Sequence, residues 1–117
     1  VTYDKANNGV QLDQVGVWEF TVKVSLTFSE VNNGREIQLR TYNLTTATPG
    51  ATTFNYFVGR NQAGVNLQFT LAIEVDDTEV GNLIQLQVGS ASDSFSSSDN
   101  IGTIYQVKHI SEFQGTI

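Results

Sequence analysis

The side chains that could do chemistry are few, and the first to consider is His109, the one histidine in the chain. Nucleophilic catalysis needs a nucleophile, a base and a third group that orients the base. No serine stands in a Gly-x-Ser-x-Gly elbow, and most serines fall within residues 89–100. With no cysteine, thiolate nucleophiles, thiolate metal sites and disulfides are excluded. The sequence therefore predicts no catalytic residue and no enzyme.

Glu74, Asp76, Asp77 and Glu79 form the densest acidic group. Their order fits poorly with a calcium loop, which presents oxygens at alternating positions around a glycine turn. Adjacent acids at the tip of a hairpin are usually a solvated turn that discourages edge pairing. We predict a solvated turn, no cofactor and no metal, with a bound cation as the alternative. Glycosidase chemistry is disfavoured, because it would also need an aromatic groove and Trp18 is predicted to lie in the core.

The charge balance argues against nucleic acid as a partner. Six basic and twelve acidic side chains give a net charge of −6, and the three arginines are scattered along the chain. No stretch of about 18 apolar residues occurs, so no membrane insertion is expected. Asn43-Leu44-Thr45 is a glycosylation sequon, meaningful in a eukaryotic secretory pathway.

Strict alternation of apolar and polar residues in two long stretches predicts the scaffold. In Val17–Phe28 and Val65–Val75, every second side chain is apolar, which is typical of a strand with one buried face. Shorter strands are predicted over Glu36–Tyr42, around Phe54, Tyr56 and Val58, and over Leu83–Val88, Ile101–Val107 and Ile110–Ile117. Turns are predicted at 7–9, 32–34, 48–50, 59–61, 76–77 and 81–82. We predict one all-β domain over residues 1–117, an antiparallel sandwich of about eight strands.

The serine-rich segment 89–100 interrupts this rhythm, and its one large apolar side chain is Phe95. Too little apolar area is present to order it alone, so a long surface loop is predicted. It is either a plain connector or a loop that contacts a partner. In the second case the contact residues would be Asp93, Ser94, Phe95 and Ser96, together with Arg60 and Asn61 in the 59–62 turn.

Four short motifs resemble those of the tumour-necrosis-factor and complement-C1q superfamily. Gly16-Val17-Trp18-Glu19-Phe20 is similar to its Gly-aromatic-x-aromatic strand opening, with the first aromatic shifted by one place, and residues 37–43 form a strand ending in Asn. Val80-Gly81-Asn82-Leu83-Ile84-Gln85-Leu86 resembles its Gly-Asp signature, with Asn in the Asp place. Ser111-Glu112-Phe113-Gln114-Gly115 resembles its closing strand. The usual first strand of the family has no counterpart.

The resemblance implies that the sandwich is a jelly roll and that it forms a homotrimer around a threefold axis. Large side chains occur at both odd and even positions of the predicted strands, so some must lie on an outer face. These would then form the contact between copies: Tyr42, Tyr56, Phe57, Ile104 and Tyr105. The alternative is that β-bulges change the parity and return these side chains to the core.

Bacteriophage capsid-decoration proteins and tail-fibre tips use this type of domain, and the abundance of Asn, Gln, Ser and Thr is similar to theirs. The function expected from the resemblance is a non-enzymatic protein of the outer virion surface that cements a capsid. One alternative is a receptor-binding fibre tip that meets a host glycan or protein. Another is a carbohydrate-binding module, and a secreted, extracellular location is the alternative to the virion.

Overall fold

The computed structural model describes residues 1–27, 35–61, 63–90, 93–96 and 102–111, and within these ranges the chain forms nine strands. Their bounds are β1 Thr2–Asp4, β2 Gly9–Gln11, β3 Gly16–Thr27, β4 Arg35–Asn43, β5 Thr48–Val58, β6 Gly64–Val75, β7 Leu83–Ser90, β8 Asp93–Ser96 and β9 Gly102–Ser111. No helix long and apolar enough to cross a membrane occurs in these ranges.

The strands form two antiparallel sheets that pack as a sandwich. One sheet has the order β1-β2-β7-β4-β5, with β8 also paired to β7, and the other has the order β6-β3-β9. The pairs β2/β7, β3/β6 and β4/β5 are nested within one another along the chain, which is how an antiparallel ribbon winds into a jelly roll. The all-β sandwich predicted from the sequence is confirmed.

The two long alternating stretches are the paired strands β3 and β6. Their register runs without interruption from Gly16 opposite Val75 to Thr27 opposite Gly64. Trp18, Phe20 and their alternate neighbours in β3 point inward, as predicted. Residue 28, the predicted end of this strand, lies outside the described ranges. The core that they enter is made with inward side chains of the other sheet: Val10, Leu12, Leu39, Ile84, Leu86 and Val88.

The predicted break near Lys108 and His109 is wrong, because β9 continues through both residues to Ser111. The pairing with β3 skips Tyr105, since Thr21 lies opposite Gln106 and Val22 opposite Ile104. Such a bulge places one extra residue in a strand and changes which face the following side chains occupy. Inward positions are even-numbered before the bulge and odd-numbered after it. Residues 112–117, predicted as a final strand, lie outside the described residues.

Residues 48–50 were predicted as a turn but begin β5 instead. The turn lies one step earlier, over residues 44–47, where Ala47 has a positive φ of 56°. Pro49 is compatible with a strand here because β5 is the last strand in the order of its sheet, and an edge strand tolerates a residue without an N–H group. Pro49 therefore indicates an edge strand here and not a turn.

The serine-rich segment is partly strand. Gly89 and Ser90 complete β7, and Asp93–Ser96 form β8, which pairs with β7 through Val88–Ser96 and Ser90–Asp93. The segment has few apolar side chains, so backbone pairing between β8 and β7 orders it instead. The predicted hairpin turn at 32–34 lies outside the described residues, and the short strands β1 and β2 were not predicted.

Candidate functional site

The side of the sandwich between β5 and β6, called the open side below, is incompletely closed. Within the described residues these two strands end the order of their sheets. The Phe54 and Phe69 rings stack across the gap, with centroids 4.3 Å apart and planes 17° apart. Leu67, Leu71 and Ile73 of β6 point toward the core but are only partly buried. An apolar stripe along β6 is therefore left half-covered.

Phe57 lies on the outer face of β5, the strand across the gap from β6. It is 66 % exposed, more than any other large apolar side chain that the structure describes. Its cross-strand neighbour is Glu36, so no apolar side chain covers it from β4. Together with the half-covered stripe, it gives this edge of the molecule apolar surface on both faces.

The five residues predicted to join copies do not form one surface. Phe57 is exposed and Tyr56 partly buried, whereas Ile104 is 6 % exposed and belongs to the core. Ile104 lies before the bulge at residue 105, where the even-numbered side chains point inward, so it has no surface to offer a partner. Tyr42 is partly covered by the Arg40 guanidinium, which lies 5.3 Å from its ring centroid. The Tyr105 side chain lies outside the described residues.

The predicted partner-contact residues lie toward one end of the sandwich. Arg60 and Asn61 are exposed in the β5–β6 turn, where Asn61 has a positive φ of 65°. The register places β8, which carries Asp93, Ser94, Phe95 and Ser96, toward the same end, because Val88 and Ser90 lie near the end of β7. The side chains of β8 are outside the described part of the chain.

A cavity of about 560 Å³ opens at the opposite end and is called the β4–β6 pocket below. The ends of β4, β5, β6 and β7 surround it, and its apolar lining includes Pro49, Ile73 and Ile84. Two polar side chains on the inner face of β4 also line it: Thr41, 5 % exposed, and Asn43, 8 % exposed. The sequence prediction overlooked both. The break in apolar alternation after Leu39 was the available signal.

Asn43 is held by the turn that follows it, where its Oδ1 accepts a hydrogen bond from the Thr46 backbone N–H at 3.1 Å. This bond caps the 44–47 turn in the manner of an Asx turn. The side chain is consequently fixed and buried.

The acidic turn forms part of the pocket rim, through Asp76 and Glu79. The Asp76 carboxylate accepts hydrogen bonds from the Thr78 N–H at 2.9 Å and the Thr78 hydroxyl at 2.6 Å, and these lower the Asp76 pKa below its ordinary value. Glu79 in turn accepts a bond from the Asp76 N–H at 3.2 Å. Across the ranges that the structure describes, no group of acidic or histidine side chains is arranged to hold a metal ion.

The His109 side chain has a structural role. Its ring lies 4.6 Å from the Trp18 ring, and its Nε2 is 3.1 Å from the Val15 carbonyl oxygen. The Trp18 indole N–H donates to the Gln14 carbonyl at 3.0 Å. The two rings thus fix the 14–15 loop to β3 and β9, an arrangement in which His109 orients no nucleophile.

Comparison of the chain with protein-family models, with curated proteins and with solved structures finds no match. The features available for assigning a function are therefore the fold, the open side and the β4–β6 pocket.

Proposed function

We propose that this chain is a non-enzymatic structural module that assembles as a homotrimer on the outer surface of a virus particle and cements its capsid. The observation that carries the proposal is the open side, where the apolar stripe of β6 is half-covered and Phe57 is exposed on the outer face of β5. Apolar surface exposed along one edge of a domain often marks an interface with a partner. A second copy of the chain is the simplest partner that covers it.

The virion location rests on the resemblance of four sequence motifs to the tumour-necrosis-factor and complement-C1q superfamily, and the jelly-roll winding is compatible with it. A non-enzymatic role is supported by the placement of His109, which is packed on Trp18 and bonded to a backbone carbonyl. The capsid would be contacted through polar loops, while the apolar edge of each protomer is buried between copies. A trimer binds the capsid more tightly than a single copy does. Once one copy is bound, the second and third are held near their own binding sites at a high effective concentration.

Light scattering after size-exclusion chromatography tests the assembly. We expect a mass three times the 12.8 kDa of the chain at micromolar concentration. Phe57→Ser should weaken the trimer by at least about tenfold, since loss of a central aromatic anchor typically costs that much. Ile110→Ser is the matched control, because Ile110 is 49 % exposed on β9, away from the open side. A monomer at every concentration would contradict the proposal.

Binding to particles tests the location. Stripped phage capsids should rebind the purified wild-type trimer and should bind Phe57→Ser more weakly. A trimer that ignores capsids but attaches to host cells would favour the fibre-tip alternative over decoration.

A further inference from the structure

Two polar side chains that line the β4–β6 pocket, Thr41 and Asn43, each carry a polar group that the described part of the fold does not bind. Within the described part of the chain, no hydrogen bond is formed to the Thr41 hydroxyl, and the Nδ2 amide of Asn43 donates none, although its Oδ1 accepts from Thr46. Yet no fully enclosed side-chain nitrogen or oxygen in that part of the chain lacks a partner. Both groups therefore open onto the cavity that they line.

Polar groups that the fold does not bind and that open onto a cavity are available to a ligand. Buried polar side chains are hydrogen-bonded in the great majority of cases, and a lost partner destabilises the fold. Thr41 and Asn43 are each more than nine-tenths buried and lie on the inner face of one strand, two residues apart. They present a hydroxyl and an amide N–H group side by side at the pocket wall.

The rest of the lining defines the chemistry of the ligand. Ile73, Ile84 and Pro49 offer apolar surface against which C–H groups can pack. Asp76 and Glu79 supply carboxylate oxygens at the rim, held by the bonds of the acidic turn. No lysine or arginine lines the pocket among the residues that the structure describes. A ligand with many hydroxyl groups satisfies these donors and acceptors, whereas an anion would be repelled by the rim carboxylates with no cation to offset them.

We infer that the β4–β6 pocket binds a sugar residue without negative charge, of mono- or disaccharide size. The Asn43 amide and the Thr41 hydroxyl would donate to ring or hydroxyl oxygens, and the rim carboxylates would accept from sugar hydroxyls. The cavity of about 560 Å³ falls in the range of small-molecule sites, roughly 300–1,000 Å³. The pocket shares Ile73 with the stripe of the open side, but it uses neither Phe57 nor the Phe54–Phe69 stack, so the sugar site and the assembly can be tested by separate variants.

Titration of the wild-type chain, observed by amide chemical shifts in two-dimensional NMR, tests the inference. The probes are the methyl glycosides of glucose, galactose and N-acetylglucosamine, with N-acetylneuraminic acid as the acidic counterpart. At least one neutral glycoside should produce saturable shifts confined to residues 41–50, 72–76 and 79–84, and the acidic sugar should produce none there. If no neutral glycoside produces such shifts, or if the acidic sugar binds equally well, the inference is wrong.

Thr41→Val removes the hydroxyl at constant shape and should raise the dissociation constant about tenfold, the effect of one lost hydrogen bond. Thr41→Ser keeps the hydroxyl and should bind like the wild type. Since the hydroxyl has no partner inside the fold, Thr41→Val should retain the wild-type melting temperature. Unchanged affinity in Thr41→Val would overturn the role of the pocket. If this variant fails to fold, the hydroxyl was not free and the inference also falls.

Discussion

Asn8 joins the two sheets by donating from its Nδ2 to the backbone carbonyl of Gly102, over a distance of 2.7 Å. The same amide lies 3.4 Å from the Leu86 carbonyl, and the Leu86 N–H donates back to the Asn8 carbonyl at 3.2 Å. Asn8 is buried and has a positive φ of 50°, a conformation that Asn tolerates better than most residues. One side chain in the β1–β2 turn thus links β7 of one sheet to β9 of the other.

Replacing Asn8 should therefore cost much more stability than its place in a turn suggests. We expect Asn8→Ala to lower the free energy of unfolding by about 2–3 kcal/mol, because buried carbonyls lose their donor and Ala is strained at positive φ. Asn8→Gly separates the two causes, since glycine relieves the strain but not the lost bond. Urea denaturation measures both.

Asn7 provides the control for this prediction. It is exposed, and its side chain bonds only to Asp4 of the same turn. Asn7→Ala should change stability by no more than about 0.5 kcal/mol. Equal losses for Asn7→Ala and Asn8→Ala would show that the bonds across the sheets contribute nothing.

Gly50 and Thr41 lie very close to each other across the β4–β5 hairpin. A Cβ atom at residue 50 would collide with the Thr41 hydroxyl oxygen and come within 3.1 Å of the Thr41 carbonyl oxygen. Gly50→Ala should therefore destabilise the chain by about 1–3 kcal/mol, the usual cost of overpacking. Adding Thr41→Ala removes the hydroxyl, so the double variant should recover at least about 1 kcal/mol. Thermal unfolding of the four variants of this cycle measures the coupling, and strictly additive losses would refute the collision.

Some features of this fold could be predicted from the sequence, and others, such as the bond from Asn8 to Gly102, could not. The alternation in β3 and β6 has a period of two over twelve residues, so one pattern determines strand type, length and inner face together. The turn at Asn8 was also predicted from residue types. Its bond to Gly102 was not predictable, because it spans 94 positions and depends on how the two sheets stack.

The site was less predictable than the fold for a related physical reason. A bulge of one residue in β9 reverses the face of every side chain beyond it, and bulges leave little trace in a single sequence. Val107 and His109 point inward beyond the bulge, and extending their odd parity back along the strand would wrongly place Ile104 on the surface. Thr41 and Asn43 were overlooked because a polar residue in a strand normally indicates a solvated face, whereas here it lines a cavity.

The stack of Phe54 on Phe69 should contribute to holding the open side together. Both rings are partly buried, so we expect Phe69→Ala to cost about 2–3 kcal/mol, somewhat less than for a fully buried ring. A double-mutant cycle with Phe54→Ala should give a coupling of about 0.5–1.5 kcal/mol in favour of the pair.

The control for the stack is Phe57→Ala, which removes a ring from the same strand on its outer face. Measured by denaturation at a concentration where the chain is monomeric, it should change stability by about 0.5 kcal/mol or less. A coupling near zero between residues 54 and 69 would mean that the rings only fill space.

The hydrogen bonds from Thr78 to Asp76 predict how the acidic turn responds to acid. They lower the Asp76 pKa below its ordinary value of 3.8, so the stabilisation they provide is fully present above that pH and is lost as the pH falls through the lowered pKa. Thr78→Val removes the hydroxyl donor and should raise the Asp76 pKa toward its ordinary value, while Thr78→Ser should leave it low. A carbon-detected NMR titration of the Asp76 carboxyl measures the pKa directly. The stability difference between wild type and Thr78→Val should be present at neutral pH and vanish in strong acid, and a difference that persists there would mean that the valine perturbs the turn by another route.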